Sequence, residues 1–386
     1  MKKSRINLSR ITTSGNFIPE IDGLRFIAII SVVLFHLYGF ISEKDSSVYS
    51  MDYNFDFIAN FLKNGNFGVE LFFVLSGFIL GLPFAKHYLK DGKKISLKSY
   101  FLRRVSRLEP PYIIIMFLLL LGTIFVSKNL STTDALQSFL ASIAYIHNIV
   151  YAEPSFINTV AWSLEIEIQF YILAPLLSLV FAMKDKVRRR GILIFATIAF
   201  SVLSIYITNT LRYSILDYLH YFLIGCLLVD FYLTEGVKNS SSILRNTFTI
   251  IALILIFTCN EKHFVTTIQK SIWNISVLIL IFSSYYNIIL RKSLRFFSFR
   301  TITNIGGMCY TIYLLHFAII SFVGNPLLSF QFSDNPIVNI GLYSFIILSS
   351  ILLVSIVFFV LIERPCMDKN WPTKLKNYVR RFITAN

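Results

Sequence analysis

The sequence predicts an all-α integral membrane protein with about ten transmembrane helices. Hydrophobic residues make up 55% of its 386 residues, charged residues make up 15%, and the mean hydropathy is +0.66. Apolar runs of about 20 residues, the length that crosses a bilayer as a helix, recur along the chain. This composition excludes a soluble domain of the same size. The net charge of +15 therefore bears on membrane topology, and no nucleic-acid partner is predicted.

Ten apolar segments account for the predicted spans. They cover residues 21–41, 66–85, 109–127, 161–183, 191–209, 215–233, 246–259, 272–290, 303–324 and 337–362. The seventh segment is short and the fourth carries carboxylates. An eleventh segment, 135–151, is predicted to be re-entrant or to lie as a short helix at the outer face, because crossing there would place the basic run 184–190 outside.

Basic residues determine the predicted orientation. With ten spans, most of the 36 Lys and Arg residues fall on the side of the membrane that also carries both termini. Positive loops face the cytoplasm, so both termini are predicted to be cytoplasmic. The predicted organisation is a cytoplasmic N-terminal tail at 1–20, a membrane domain at 21–362 and a basic cytoplasmic C-terminal tail at 363–386.

Two ionisable side chains interrupt the first span. Arg25 lies near its start, and His36 follows eleven residues later, about 16 Å along a helix. Ionisable residues inside a span usually face an interior cavity and mark a functional site. The alternative is a snorkelling arginine and a histidine that hydrogen-bonds to a neighbouring helix.

The fourth span carries two carboxylates near its outer end. Glu167 reaches a depth similar to that of His36, and the two could form an acid–base pair. A structural hydrogen bond between helices explains the same residues. Glu165, two positions earlier, points to a different side of the helix.

Arg104 and Arg107 are three residues apart at the inner end of the third span. On a helix they share a face, and paired guanidinium groups there suit a phosphorylated ligand. The alternative is an ordinary basic cluster that binds lipid head groups. Pro110 and Pro111 are predicted to open the helix that follows.

The ninth span places three polar side chains on one face: Tyr310, Tyr313 and His316. They could line a polar cavity or only supply hydrogen bonds between helices. The run at 363–365 (Glu-Arg-Pro) is predicted to stop the last span. The four cysteines lack paired spacing, so neither a disulfide framework nor a metal site is predicted.

Five motifs in order, covering nearly the whole chain, resemble acyltransferase family 3, the integral-membrane acyltransferases of bacterial surface glycans. Its arginine-to-histidine signature resembles Arg25 followed by His36, and its second-span stretch is similar to 68–79. The remaining likenesses are Arg104 to Arg107 with Pro110 and Tyr112, Trp162-Ser163-Leu164 with Glu167, Phe170 and Tyr171, and the closing stretches 310–316 and 363–365. Small Ser76 and Gly77 would let the second span approach another helix closely.

The resemblance implies a multi-pass enzyme of the bacterial cell membrane that uses acyl-CoA, most often acetyl-CoA, as donor and holds no permanent cofactor. The acceptor would be a hydroxyl of a carbohydrate or lipid-linked glycan on the outer side, such as a surface polysaccharide, O-antigen, capsule or exopolysaccharide. His36 would act as general base with Glu167, or would carry the acyl group itself.

The resemblance also assigns the remaining residues. Arg25, Arg104 and Arg107 would bind the donor, and Arg25 would also belong to the catalytic set with His36 and Glu167. The cavity would be lined by Trp162, Ser163, Tyr171, Tyr310, Tyr313 and His316. A transporter or flippase for a lipid-linked glycan is the competing function, although the sequence lacks an internal half-repeat. A membrane assembly factor would explain the topology but not the motifs.

Overall fold

The computed structural model describes residues 8–11, 17–44, 56–126, 131–207, 211–259, 264–368 and 370–374. Within these ranges the regular structure is helical and no strand occurs. Nine helices in the described part of the chain are long and apolar enough to cross a membrane. The predicted all-α membrane fold is therefore confirmed.

The described residues form fourteen α-helices of five or more residues, numbered in chain order. They are α1 (Pro19–Lys44), α2 (Asp56–Lys63), α3 (Gly68–Leu89), α4 (Leu97–Val126), α5 (Thr132–Ile143), α6 (His147–Tyr151), α7 (Trp162–Leu177), α8 (Lys186–Ile207), α9 (Ile215–Thr234), α10 (Ile243–Thr258), α11 (Thr267–Tyr285), α12 (Arg300–Gly307), α13 (Cys309–Leu327) and α14 (Pro336–Phe358). Further helical turns of up to five residues extend several of them. These include π-helical turns at Tyr286–Leu290 after α11 and at Phe359–Glu363 after α14.

Two predicted spans differ from the helices that form. The seventh, α10, has only 16 residues, about 24 Å at 1.5 Å each, which is shorter than the hydrocarbon core. The ninth is divided, because α12 ends at Gly307 and α13 begins at Cys309, with Met308 between them in a non-helical conformation. The crossing part is α13 alone, so the predicted span 303–324 starts too early.

The third span begins earlier than predicted, and its prolines do not open it. Helix α4 starts at Leu97 and continues through Pro110 and Pro111. A proline inside a helix leaves the carbonyl four residues earlier without its usual donor. For Pro110 that carbonyl belongs to Ser106, and it accepts a hydrogen bond of 2.8 Å from the Trp371 indole N–H instead. This replacement lets the helix continue, so the prediction of a helix start here was wrong.

The segment 135–151 forms two short helices, α5 and α6, neither of which is among the helices long and apolar enough to cross a membrane. The chain turns between them, where Tyr145 adopts a positive φ of 58°. The Tyr112 hydroxyl in α4 donates to the Ser142 carbonyl at 3.0 Å, and the Asn148 amide donates to the Glu165 carboxylate in α7 at 2.8 Å. The segment thus forms a pair of short helices packed against α4 and α7, and whether it is re-entrant or lies at the outer face stays a prediction.

Helices α3 and α9 approach each other closely in the core. A Cβ added at Gly77 would lie 2.1 Å from the Phe222 carbonyl oxygen, and one added at Gly225 would lie 2.2 Å from the Val74 carbonyl oxygen. Real Cβ atoms do not come so close, so both positions require glycine. The close approach expected at Gly77 is thus confirmed, and it brings α3 and α9 together behind the cavity described below.

The last span does not stop at the Glu-Arg-Pro run, contrary to the prediction. The π-helical turn Phe359–Glu363 continues directly into the helical turn Arg364–Cys366. Pro365 falls at the start of that turn, where a missing amide hydrogen costs little. Glu363 is buried there, and its Oε2 accepts hydrogen bonds from the Thr311 amide at 3.2 Å and the Thr311 hydroxyl at 2.5 Å.

Candidate functional site

A cavity of about 470 Å³ lies between α1, α3, α4, α7, α13 and the end of α14. Most of the site residues predicted from sequence line it: Arg25, Arg104, Arg107, Ser163, Glu167, Tyr171, Tyr310 and Tyr313. These residues come from four separated stretches of sequence. The fold therefore brings the motifs to one place.

One part of the cavity wall is strongly basic. Its cationic residues are Arg10, Arg25, Lys86, Arg103, Arg104 and Arg107. The Arg104 guanidinium donates to the Tyr100 carbonyl at 3.0 Å and lies over the Tyr100 ring, 3.7 Å from its centroid. The buried Nε atoms of Arg104 and Arg107 have no partner among the described residues. Both guanidinium groups thus retain donor capacity for an anion.

Arg25 is held differently from the other two predicted arginines. It donates to the Asp22 carboxylate at 2.8 Å, and Arg10 donates to the other oxygen of Asp22 at 2.7 Å. Burial lowers the pKa of Arg10 to about 10, which leaves this side chain cationic at neutral pH. The sequence analysis did not identify Arg10 as a site residue. The signal was Asp22, an acid at the second position of the first predicted span, because a buried carboxylate needs a cation beside it.

Glu167 lies between two helices and accepts two hydrogen bonds on one oxygen. The donors are the Ser76 hydroxyl in α3 and the Tyr171 hydroxyl in α7, each at 2.7 Å. Ser76 had been noted only for its small size. The second carboxylate, Glu165, instead receives the Asn148 amide and fastens α6, so the two carboxylates have different surroundings, as the sequence predicted.

The tyrosines of α13 connect this wall to its neighbours. The Tyr310 hydroxyl donates to the Leu108 carbonyl at 3.0 Å, and the Tyr313 hydroxyl donates to the Val160 carbonyl. Because Tyr313 uses its proton there, Ser163 is the donor in the 3.0 Å bond between the Ser163 and Tyr313 hydroxyls. Both alternatives left open by the sequence apply, since these side chains line the cavity and also join helices.

His36 lies one helical turn beyond Val32, which lines the cavity. Its ring is half-buried and contacts the rings of Phe317 and His316, with centroids 5.1 Å and 5.3 Å away. None of the described residues forms a hydrogen bond with His36, and Glu167 is occupied by Ser76 and Tyr171. The structure therefore does not form the direct pair of His36 and Glu167 that the sequence suggested.

Two predicted cavity residues lie away from the cavity wall. The Trp162 ring packs against Tyr213 at 5.1 Å, and the Trp162 carbonyl accepts from the Asn148 amide group at 2.8 Å, so it fastens α6 to α7. His316 is fully buried beside His36. Glu363, which sequence reasoning had treated as a helix end, lines the cavity instead.

Comparison with known proteins agrees with these motifs. The family model of the acyltransferase domain of acyltransferase family 3 matches residues 18–360. The chain is 28% identical over 351 residues to the peptidoglycan O-acetyltransferase OatA of Listeria monocytogenes, which covers 80% of this chain and 50% of that protein. It is 26% identical over 341 residues to the O-acetyltransferase OatA of Staphylococcus aureus, covering 81% of this chain and 52% of that protein.

The chain thus spans about half the length of the curated relatives it matches. No solved structure gives a significant match. The family model covers most of the chain, and the residues that it matches include most of those that line the cavity. The chain belongs to acyltransferase family 3.

Proposed function

We propose that the protein is a membrane O-acyltransferase that moves an acetyl group from acetyl-CoA to a hydroxyl of a carbohydrate. The observation that carries the proposal is the cavity, whose wall combines unpaired guanidinium groups with hydroxyl and carboxylate side chains and ends one turn from His36. Membership of acyltransferase family 3 and the names of the two relatives support the reaction class.

Arg104 and Arg107 are the proposed contacts of the donor. Guanidinium groups bind phosphate oxygens in a bidentate manner, and coenzyme A carries phosphates at one end of a long arm. The positive-inside rule supports a cytoplasmic position for this end of the cavity. Apolar side chains such as Phe72, Leu75 and Ile79 line the cavity as well and suit the aliphatic parts of the arm.

His36 is the proposed general base. The acceptor hydroxyl gives its proton to a ring nitrogen of His36 while its oxygen attacks the thioester carbonyl carbon. A carbon–oxygen bond forms, the carbon–sulfur bond breaks, and the thiolate that leaves takes up the proton from His36. The products are the O-acetylated sugar and free coenzyme A.

An acyl-histidine relay is the rival pathway, in which His36 first attacks the thioester and then passes the acyl group to the acceptor. Radiolabelled acetyl-CoA given to the purified protein without acceptor separates the two. Label retained on the protein and lost on substitution of His36 supports the relay. Failure to trap label under conditions that give turnover supports direct attack.

The acceptor is proposed to be a surface or lipid-linked glycan. Peptidoglycan is the first acceptor to assay, because one relative is named for it. The test compares cell-wall glycans from cells that express the wild type, His36→Ala or His220→Ala, measured for alkali-labile acetyl groups. His220 is the matched control, because it is also a buried histidine of a span but lies outside the cavity.

We expect acetylation from the wild type and His220→Ala, and a loss of about 10²-fold or more in His36→Ala, which is the usual contribution of a general base. Equal acetylation by all three proteins at equal membrane levels would disprove the role of His36. If the wild type adds no acetyl group to any glycan fraction, the proposed reaction itself is wrong.

A further inference from the structure

The hydrogen bonds of His316 fix which of its nitrogens carries the proton. Its Nδ1 lies 3.0 Å from the Ile312 carbonyl oxygen and 2.8 Å from the Tyr313 carbonyl oxygen. A carbonyl oxygen only accepts, so Nδ1 must be the donor. In the neutral ring, Nε2 is then an unprotonated acceptor with a free lone pair.

That lone pair is buried and unused. His316 has 0% relative exposure, and its Nε2 has no hydrogen-bond partner in the part of the chain that the structure describes. A buried acceptor without a donor destabilises the folded state relative to one that is satisfied. Buried polar groups in proteins are usually hydrogen-bonded, so we expect a donor for Nε2 among the groups next to it.

His36 is the polar group best placed to be that partner. The two ring centroids are 5.3 Å apart, with an interplanar angle of 45°. The other rings against His36 are those of Phe35 and Phe317, which offer no acceptor. His36 itself has no hydrogen bond to any described residue, so both histidines have unused polar atoms at one contact.

We propose that His316 is the positioning residue of His36. On this proposal, which rests on the proposed function, Nε2 of His316 accepts the N–H of His36 during the reaction and thereby selects its tautomer and fixes its ring orientation. The other ring nitrogen of His36 is left unprotonated to take the proton of the acceptor hydroxyl. His316 takes the place that the sequence assigned to Glu167.

The unprotonated Nε2 of His316 also suits the stage at which His36 has taken up the proton. Once His36 holds the proton, it is a cation next to a bare nitrogen lone pair, and a hydrogen bond from a charged donor is stronger than one between neutral groups. Glu167 is not needed to orient His36 on this proposal, and it stays at the cavity wall, where it accepts hydrogen bonds from Ser76 and Tyr171.

Two substitutions separate positioning from packing. His316→Asn keeps an amide near the place of Nδ1 and removes the acceptor, whereas His316→Gln has an oxygen that reaches the place of Nε2. We measure kcat and the KM for acetyl-CoA with purified enzyme and a soluble glycan acceptor. We expect kcat to fall about 10²-fold in His316→Asn and to recover about tenfold in His316→Gln, with KM unchanged in both.

His220→Asn is the control, because His220 is likewise a buried histidine of a span with an unpartnered ring nitrogen among the described residues, yet lies outside the cavity. Its kcat should equal that of the wild type. If His316→Asn does not accumulate, His316→Met takes its place, since it fills similar space without an oxygen acceptor, and it should be less active than His316→Gln.

The failures are distinguishable. Equal kcat loss in the Asn and Gln variants, a change in KM alone, or no change in either variant would overturn the positioning role while His36→Ala remains inactive. Absence of acetyl transfer by the wild type would instead refute the proposed function.

Discussion

Arg104 and Arg107 differ from Arg25 in whether the guanidinium group has an ion-pair partner within the protein. Each keeps a buried Nε without a described partner, whereas Arg25 is already paired with Asp22. A guanidinium that is not paired within the protein is free to bind an anion, and one that is paired mainly holds a helix in place. We therefore interpret Arg104 and Arg107 as ligand-binding and Arg25 as an anchor that also contributes positive charge.

This difference gives a prediction for donor binding. Arg104→Ala and Arg107→Ala should each raise the KM for acetyl-CoA by about tenfold, the effect of one charge-assisted hydrogen bond of about 1.5 kcal/mol. Steady-state kinetics over a range of donor concentrations measures it. Lys98→Ala is the control, since Lys98 is an exposed cation of the same helix that does not line the cavity. Unchanged KM in both arginine variants would contradict phosphate binding.

At the level of elements, the packing of α3 against α9 depends on two glycines that meet the opposing backbone. Gly77→Val should prevent this approach, because its Cβ would lie within 2.1 Å of the Phe222 carbonyl oxygen. Helix displacement carries Ser76 with it, so the support of Glu167 is lost together with stability. We expect a destabilisation of more than about 3 kcal/mol, beyond the usual cost of one overpacked side chain.

The measurement is the thermal unfolding midpoint of the purified protein in detergent. Gly122→Val is the matched control, because a Cβ at Gly122 meets no atom within 4 Å and the residue is also helical. A Gly77→Val variant as stable as Gly122→Val would show that the two helices do not pack as described.

The α5 and α6 pair should loosen at acid pH. The His147 ring is held between the Ser138 hydroxyl and the Glu153 carbonyl, each at 2.9 Å, and burial lowers its pKa from the ordinary value of about 6.5. The folded pair thus favours the neutral ring, while the unfolded segment binds a proton more readily. Its stabilising contribution is complete above about pH 6.5 and is lost as the pH falls below that value.

Amide hydrogen exchange of α5 and α6 at about pH 7.5 and about pH 5.5, corrected for the intrinsic pH dependence of exchange, detects this change. Protection should fall at the lower pH in the wild type and stay constant in His147→Gln. Equal protection of the wild type at both pH values would contradict the role of His147.

Helices were predictable from sequence wherever hydrophobicity alone determined them. The boundaries failed where a polar contact from elsewhere in the chain replaced a lost helical bond, as at Pro110, whose freed carbonyl is satisfied by Trp371. They failed again at Met308, which interrupts the helix between Gly307 and Cys309 where one continuous span was predicted. A replacement hydrogen bond like that from Trp371 comes from a residue far away in sequence, so the periodicity of one segment does not reveal it.

For the whole molecule, the sequence motifs predicted most of the residues that line the cavity. They did not predict which side chains contact each other. Glu167 and His36 were predicted to pair, yet the partners of Glu167 are Ser76 and Tyr171 and the neighbour of His36 is His316. The prediction of this pair rested on the depth of the two residues along their helices alone. The rotation of each helix, which decides contacts, is set by packing throughout the bundle and was not readable from either span alone.

The cavity wall joins the two extremes of the described chain. Arg10 and Ile11 precede the first helix, while Glu363, Met367 and Asp368 follow the last one, and all five line the same space. Arg10 is synthesised before the described spans and Glu363 after α14, so this wall is complete only once all of these helices have been made. A chain that still lacks its last described span therefore carries His36 without the complete cavity wall.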